Sequence, residues 1–107
     1  MDTERLLGEL SSSPDLEPFV GLVRPLSEYD RERRSDLIRT LRVYFGCGTN
    51  TSLAADRLFL HRNSMLYRLD RIRELTGLDP RDHRVALALQ LGLLAMERGD
   101  PDAAERP

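Results

Sequence analysis

Lysine is missing from this chain; all sixteen of its basic residues are arginine. Arginine is the better ligand for phosphate and for guanine because its planar guanidinium presents paired donors. Total exclusion of lysine, however, reads more simply as the base composition of a GC-rich genome than as chemistry. Cysteine is nearly absent as well. Cys47 stands alone, which excludes an internal disulfide and suits a reducing cytoplasm. Flanked by Gly46 and Gly48, it has no second thiol to resolve an oxidised sulfur, so it reads as inert rather than as a redox sensor. No apolar run is long enough to span a bilayer: the longest, Val85 to Met96, is interrupted by Gln90. The N-terminus carries Asp2, Glu4 and Glu9 with no basic start and apolar core, so no secretion signal and no membrane partner are expected.

Chemistry is equally sparse. No Ser–His–acid set, Gly-rich phosphate loop or pair of catalytic carboxylates can be argued from spacing, so neither catalytic residues, nor a cofactor, nor an enzyme is expected. His61 has no Cys, His or carboxylate cluster nearby, so it reads as a turn residue capping the following helix rather than a metal ligand. His83 reads as an exposed first-turn residue. Strand alternation and internal repeats are lacking too.

What is present is a 107-residue chain, 40% hydrophobic and 32% charged, the profile of one small soluble domain with tails. A chain of this size buries roughly 60–65% of its unfolded surface, enough for one modest core and not for a deep enzyme cleft. Net charge is −2, but unevenly spread. Residues 1–20 hold five acids against Arg5, and 97–107 hold four acids against two arginines. Between 39 and 73, seven arginines (39, 42, 57, 62, 68, 71, 73) face only Asp56 and Asp70. That asymmetry says more about partners than the total does.

Periodicity and punctuation predict an all-α chain, a small bundle of about four to five helices. Ser11-Ser12-Ser13-Pro14 is a break, and Asp15 can open a helix through Val23 that Pro25 ends or kinks. Arg31-Glu32-Arg33-Arg34 is a solvated connector or a helix start. Ser35 is a candidate N-cap with Asp36 in the first turn. Leu37, Ile38, Leu41, Tyr44 and Phe45 then recur at helical spacing up to Gly46-Cys47-Gly48. Asn50 or Thr51 caps a short helix ending near Leu58. A longer one starts around Arg62 and stops at Thr76-Gly77, where Gly supplies the left-handed closing residue. Asp79-Pro80 predicts a further start, with Asp as cap and Pro in the first turn, for a helix running to about Arg98.

The segment from Gly48 to Ile72 has the layout of a helix-turn-helix, whose second helix enters the major groove of DNA. On a helical wheel Met65, Leu69 and Ile72 form one stripe, with Leu66 and Leu75 at its margins. Ala54, Leu58 and Leu60 supply apolar partners, and Ala55 is small where two helices must cross. The opposite side carries Asn63, Ser64, Tyr67, Asp70, Arg71 and Glu74, flanked by Arg68. Asn can take adenine in a bidentate pair, Arg can take guanine, and Ser or Tyr can reach base or phosphate. Base contacts are therefore expected at Asn63, Ser64, Tyr67 and Arg68. Phosphate contacts are expected at Arg62 and Arg71 and, from the preceding helix, at Thr51 and Ser52. A polar helix face is also simply a solvated face, and Arg71 with Glu74 or Asp70 with Arg73 can be local charge pairs.

From Leu41 to Leu93 the chain resembles the C-terminal helix-turn-helix domain of PucR/CdaR-type bacterial transcription regulators. The resemblance is carried by Thr40-Leu41-Arg42-Val43-Tyr44-Phe45, by Ala54 through Ser64 with its His-Arg-Asn-Ser turn, by Tyr67-Arg68-Leu69-Asp70-Arg71-Ile72, by Leu75-Thr76-Gly77-Leu78-Asp79 and by Arg84-Val85-Ala86-Leu87. The central part is also similar, less specifically, to the smaller helix-turn-helix of the Fis type. Ser64 stands where Thr is commoner, and Phe59 occupies a turn position that is Gly in many other helix-turn-helix families. Leu22 to Asp30 resembles the connector that follows a regulatory domain in full-length members. The resemblance implies a cytoplasmic, nucleoid-associated, sequence-specific DNA-binding regulator whose partner is double-stranded DNA.

The expected organisation is an N-terminal segment and connector over 1–34, possessing too few residues for a sensor and so read as the remnant of an upstream regulatory domain, then the helix-turn-helix domain over 35–98 and a flexible tail over 99–107. On the last helix Val85, Leu89, Leu93 and Met96 form one stripe, and Leu87, Leu91 and Leu94 another nearly opposite. The second stripe is expected to cover either the connector around Phe19–Val23 or a second protomer, the latter giving a homodimer through this helix or through an upstream domain. The competing function is a helical interaction module without intrinsic DNA specificity.

Overall fold

A computed structural model describes residues 2–99, with side chains through Glu97; the expected tail lies outside the described residues apart from Gly99. The described chain is all-helical: α1 (Thr3–Ser11), a 3-10 turn (Pro14–Leu16), α2 (Glu17–Arg33), α3 (Leu37–Gly46), α4 (Thr51–Arg57), α5 (Arg62–Thr76) and α6 (His83–Gly99). That is one helix more than expected, because α1 forms before the Ser11–Pro14 break, where the sequence predicts no helix. Asp2 caps it by accepting from the Arg5 N–H at 3.0 Å.

A larger difference is in α2, which runs through Pro25 instead of stopping there. Proline inside a helix removes one backbone bond and costs about 3 kcal/mol. Val23 and Leu26 on either side of it are fully buried, and each such side chain contributes about 1.5–3 kcal/mol. Packing thus outweighs the local penalty. The charged run Arg31–Arg33 is the last turn of this helix, and Arg34 closes it in the left-handed region with φ 52°.

The start of α3 also departs from expectation. Ser35 does not cap it. Asp30, reaching back from α2, accepts from the N–H of Leu37 at 2.7 Å and of Ile38 at 2.9 Å, and from the Ser35 hydroxyl as well. One carboxylate therefore satisfies two orphan donors of α3 and ties the end of α2 to it. The α6 start is likewise three residues later than Asp79-Pro80 suggests. Asp79 accepts from the Arg81 N–H in a preliminary turn, and Asp82 accepts from the Arg84 N–H at the helix proper.

The core unites α2 to α6. Leu41, Ala54, Met65, Leu69, Ile72 and Leu89 are fully inaccessible, with Val23, Leu26, Leu37, Tyr44 and Leu93 packed among them. The largest helix pair is α2 on α6. It is made possible by Gly92: a Cβ there would lie 2.3 Å from the Phe19 carbonyl oxygen and 3.2 Å from Val23. So the connector helix does pack on α6, but at Gly92, beside the first leucine stripe. Leu91 and Leu94 of the second stripe are half-buried and Leu87 is 62% exposed.

Candidate nucleic-acid interface

Asn50 caps α4 by accepting from the Leu53 N–H at 3.0 Å. This leaves Thr51 half-exposed and Ser52 exposed at the start of that helix. The turn that follows reverses the chain over Leu58-Phe59-Leu60, with the Leu60 N–H returning to the Ala55 carbonyl at 2.9 Å. Phe59 takes the left-handed φ of 57° that the Gly of other families takes without strain, and its ring is 94% exposed. His61 then caps α5: its Nδ1 accepts from the Asn63 N–H at 3.0 Å. Gly77, with φ 76°, ends α5 as anticipated.

Met65, Leu69 and Ile72 bury one side of α5 completely, with Ala54 and Ala55 of α4 buried in the same core. The sequence-predicted residues Arg62, Asn63, Ser64 and Tyr67 all emerge on the exposed side. Tyr67 is 62% exposed. Among the described residues, the side chains of Arg62, Asn63 and Ser64 have no internal hydrogen bond or ion pair. These donors and acceptors are satisfied by water and are free to be exchanged for another polar partner.

The other two arginines of the set are differently placed. Arg68 turns toward α3, where its Nη1 donates to Asp36 and, at 2.9 Å, to the Thr40 hydroxyl. Its side chain is only 27% exposed. Arg71 donates to the Tyr67 hydroxyl at 2.9 Å and to Glu74 at 3.2 Å, and its guanidinium lies 5.7 Å from the Tyr67 ring centre and 5.9 Å from that of Tyr29 on α2. The Tyr67 hydrogen bond, above all, raises the Arg71 pKa and keeps it cationic. The Arg71–Glu74 pair foreseen in the sequence is present. Asp70 pairs not with Arg73 but with Arg81 at 2.6 Å, and Arg81 also holds Asp79 at 2.9 Å. An acidic residue on the exposed side is thereby neutralised from the α5–α6 loop, which reduces its repulsion of phosphate.

Sequence reading missed Tyr29, Asp30, Asp36, Thr40 and Arg81. All act across separations that periodicity does not register; Arg68 and Asp36, for example, are 32 residues apart. Together with the end of α2, the exposed side of α5 borders an open cleft of about 760 Å³ lined by Tyr29, Arg34, Ser35, Asn63, Tyr67 and Arg71 among others. No helix among the described residues is long and apolar enough to cross a membrane, and no three His, Cys, Asp or Glu side chains gather as a metal site there.

With this geometry in place, residues 37–95, more than half of the chain, match the PucR C-terminal helix-turn-helix domain. The chain belongs to that family. Among its relatives are the proline-responsive transcriptional activator PutR of Bacillus subtilis strain 168, 36% identical over 73 residues (68% of this chain, 18% of PutR), and the purine catabolism regulatory protein of the same organism, 36% identical over 80 residues (74% of this chain, 15% of that protein). The carbohydrate diacid regulator of Escherichia coli K12 is 42% identical over 59 residues (54% of this chain, 15% of that protein). The chain spans less than a fifth of the length of these relatives. No solved structure matches it significantly. The family match begins at Leu37, the first residue of α3, and ends within α6, so it takes in α3, α4 and α5 and most of α6.

Proposed function

We propose that this chain is the sequence-specific DNA-binding output domain of a transcription regulator, with α5 entering the major groove. The observation that carries this reading is the exposed face of α5, whose Arg62, Asn63 and Ser64 have no internal partner among the described residues, on a helix whose other side is fully buried. Asn63, Ser64 and Tyr67 read base edges. Arg62 and Arg71, with the hydroxyls of Thr51 and Ser52, take phosphates. Arg68, expected from the sequence to read a base, serves instead to hold α5 against α3. Its guanidinium is already engaged at Asp36 and Thr40, and leaving them exchanges one set of charged hydrogen bonds for another with little gain.

One helix-turn-helix reads only a few base pairs, so the functional unit is a homodimer reading two half-sites about one helical turn apart. Leu87 on α6 and Leu6, Leu7 and Leu10 on α1 are large apolar side chains left open for such contacts. The site of action is the nucleoid, in the cytoplasm. The relatives' names point to proline, purines and carbohydrate diacids, three unlike chemistries, so neither effector nor operator carries over.

The second reading, a protein interaction module, is favoured by those same open leucines. Salt separates the two. DNA binding through several phosphates weakens steeply as salt rises, whereas an association through Leu6, Leu10 and Leu87 does not. Binding to duplex that is insensitive to salt, with self-association intact, would overturn the DNA reading in favour of the module.

A further inference from the structure

Outside the recognition helix, the densest cluster of unpaired positive charge lies at the α2–α3 turn. Arg31, Arg33 and Arg34 fall within four residues, against Glu32 alone in that run, and among the described residues none of the three is in an ion pair. By contrast the arginines next to them in space, Arg68 and Arg71, each have a carboxylate partner. The turn is also held unusually firmly. Asp30 caps α3 through both carboxylate oxygens, and its backbone carbonyl accepts from the Ser35 N–H at 3.1 Å. Arg34 sits in the left-handed region, a conformation a side-chain-bearing residue keeps only where its surroundings impose it.

This fixed, cationic turn flanks the recognition helix along its Ser64–Arg68–Arg71 row, across the 760 Å³ cleft. Tyr29 spans the floor: the Arg33 guanidinium lies 6.0 Å from its ring centre and the Arg71 guanidinium 5.9 Å from the same ring. One tyrosine from α2 thus gathers a cation from the turn and a cation from α5 on one rim. Of the acids nearby, Asp36 is paired with Arg68 and Glu74 with Arg71, Asp30 is turned into the start of α3, and the exposed Glu28 and Glu32 are not among the residues that line the cleft.

We propose that the α2–α3 turn is a second backbone clamp: when α5 lies in the major groove, Arg33 and Arg34 contact phosphates of the strand bordering that flank, with Tyr29 fixing Arg33 and Arg71 in register. The inference rests on the DNA-binding reading above and extends it to residues outside the matched family domain, which starts at Leu37. It makes the connector part of the DNA-contacting unit.

The test compares the full chain with Arg34→Gly, with Arg33→Ala/Arg34→Gly and with Arg24→Ala, each titrated onto a duplex that wild type selects, at several salt concentrations. Arg34→Gly removes the charge and the strained conformation together, so its binding loss cannot come from unfolding; its thermal midpoint stays level or rises. Arg24 is on the same helix, paired with Glu17, and controls for net charge. The expected result is a salt slope of log Kd shallower by about one for Arg34→Gly and about two for the double variant. Affinity of the double variant falls on the order of tenfold or more, equally on all sequences, with the selected motif unchanged. Unchanged slope and affinity in the double variant, while wild type still selects its motif, would overturn the clamp and leave the DNA reading standing. An equal loss in Arg24→Ala would overturn it too, assigning the effect to long-range charge. Absence of any duplex binding by wild type would remove the DNA reading and the clamp with it.

Discussion

At the scale of single residues, α5 divides into side chains that hold and side chains that are free. Met65, Leu69 and Ile72 hold by burial and Arg68 by its bonds to Asp36 and Thr40, whereas Asn63 and Ser64 have no internal bond among the described residues. Asn63→Ala therefore leaves helicity and thermal midpoint unchanged, costs about 1–3 kcal/mol on the preferred duplex and relaxes the preference at one base position. An unchanged selected motif would remove Asn63 from the reading set. Phe59 is the residue at which the backbone, not a ligand, sets the conformation. With φ 57° and an exposed ring, Phe59→Gly relieves a left-handed strain without losing packing and raises stability by about 0.5–1 kcal/mol in urea unfolding. A decrease would mean that the ring is packed in solution.

At the scale of elements, what was legible in the sequence is what local spacing encodes. The bounds of α4 and α5, the buried stripe of α5, the His61 cap and the Gly77 stop all follow from signals within one or two turns of chain. The differences arise where a distant partner decides. Ser35 is a good cap by type, but Asp30 is brought to α3 by the path of α2 and takes both donors. Pro25 ends a helix by local rule and is overridden because Val23 and Leu26 are buried. Arg68 reads as a guanine ligand by position and is claimed by Asp36 from another helix. The candidate site was legible as a set of exposed side chains, but not in its division between free and engaged arginines.

The α2–α6 crossing and the α5–α6 loop each yield a stability prediction. Gly92→Ala places a methyl 2.3 Å from the Phe19 carbonyl oxygen, so the helices must separate, at about 1–3 kcal/mol by thermal or urea unfolding. Gly21→Ala, with open space around it on α2, is the matched control and is stabilising by about 0.5–1 kcal/mol. In the loop, partial burial pushes the Asp79 carboxyl up, but its hydrogen bonds with Arg81 outweigh this and leave its pKa below the ordinary 3.8. A lowered carboxyl pKa stabilises the fold above the unfolded value, and that stability is lost as pH falls through the folded one. Stability of wild type should thus fall more steeply than that of Asp79→Asn from about pH 4 downward. Parallel acid limbs in the two proteins would contradict the role given to this carboxylate.

At the scale of the whole molecule, charge and packing are segregated. Acids outnumber arginine in the N-terminal twenty residues, the core joins α2 to α6, and α5, from the arginine-rich middle, lies on a surface neighbouring the α2–α3 turn. A net charge of −2 conceals this arrangement. Family membership supplies the class of domain, and the exposed, unpartnered polar side chains of α5 supply the reason to place DNA there. The measurement that tests this most directly is selection of bound duplexes from a randomised pool by the purified chain at physiological salt, where nonspecific binding is only about micromolar or weaker. The account predicts an enriched motif a few base pairs long, repeated as two inverted half-sites about one helical turn apart. A folded, helical protein that enriches no motif would contradict it.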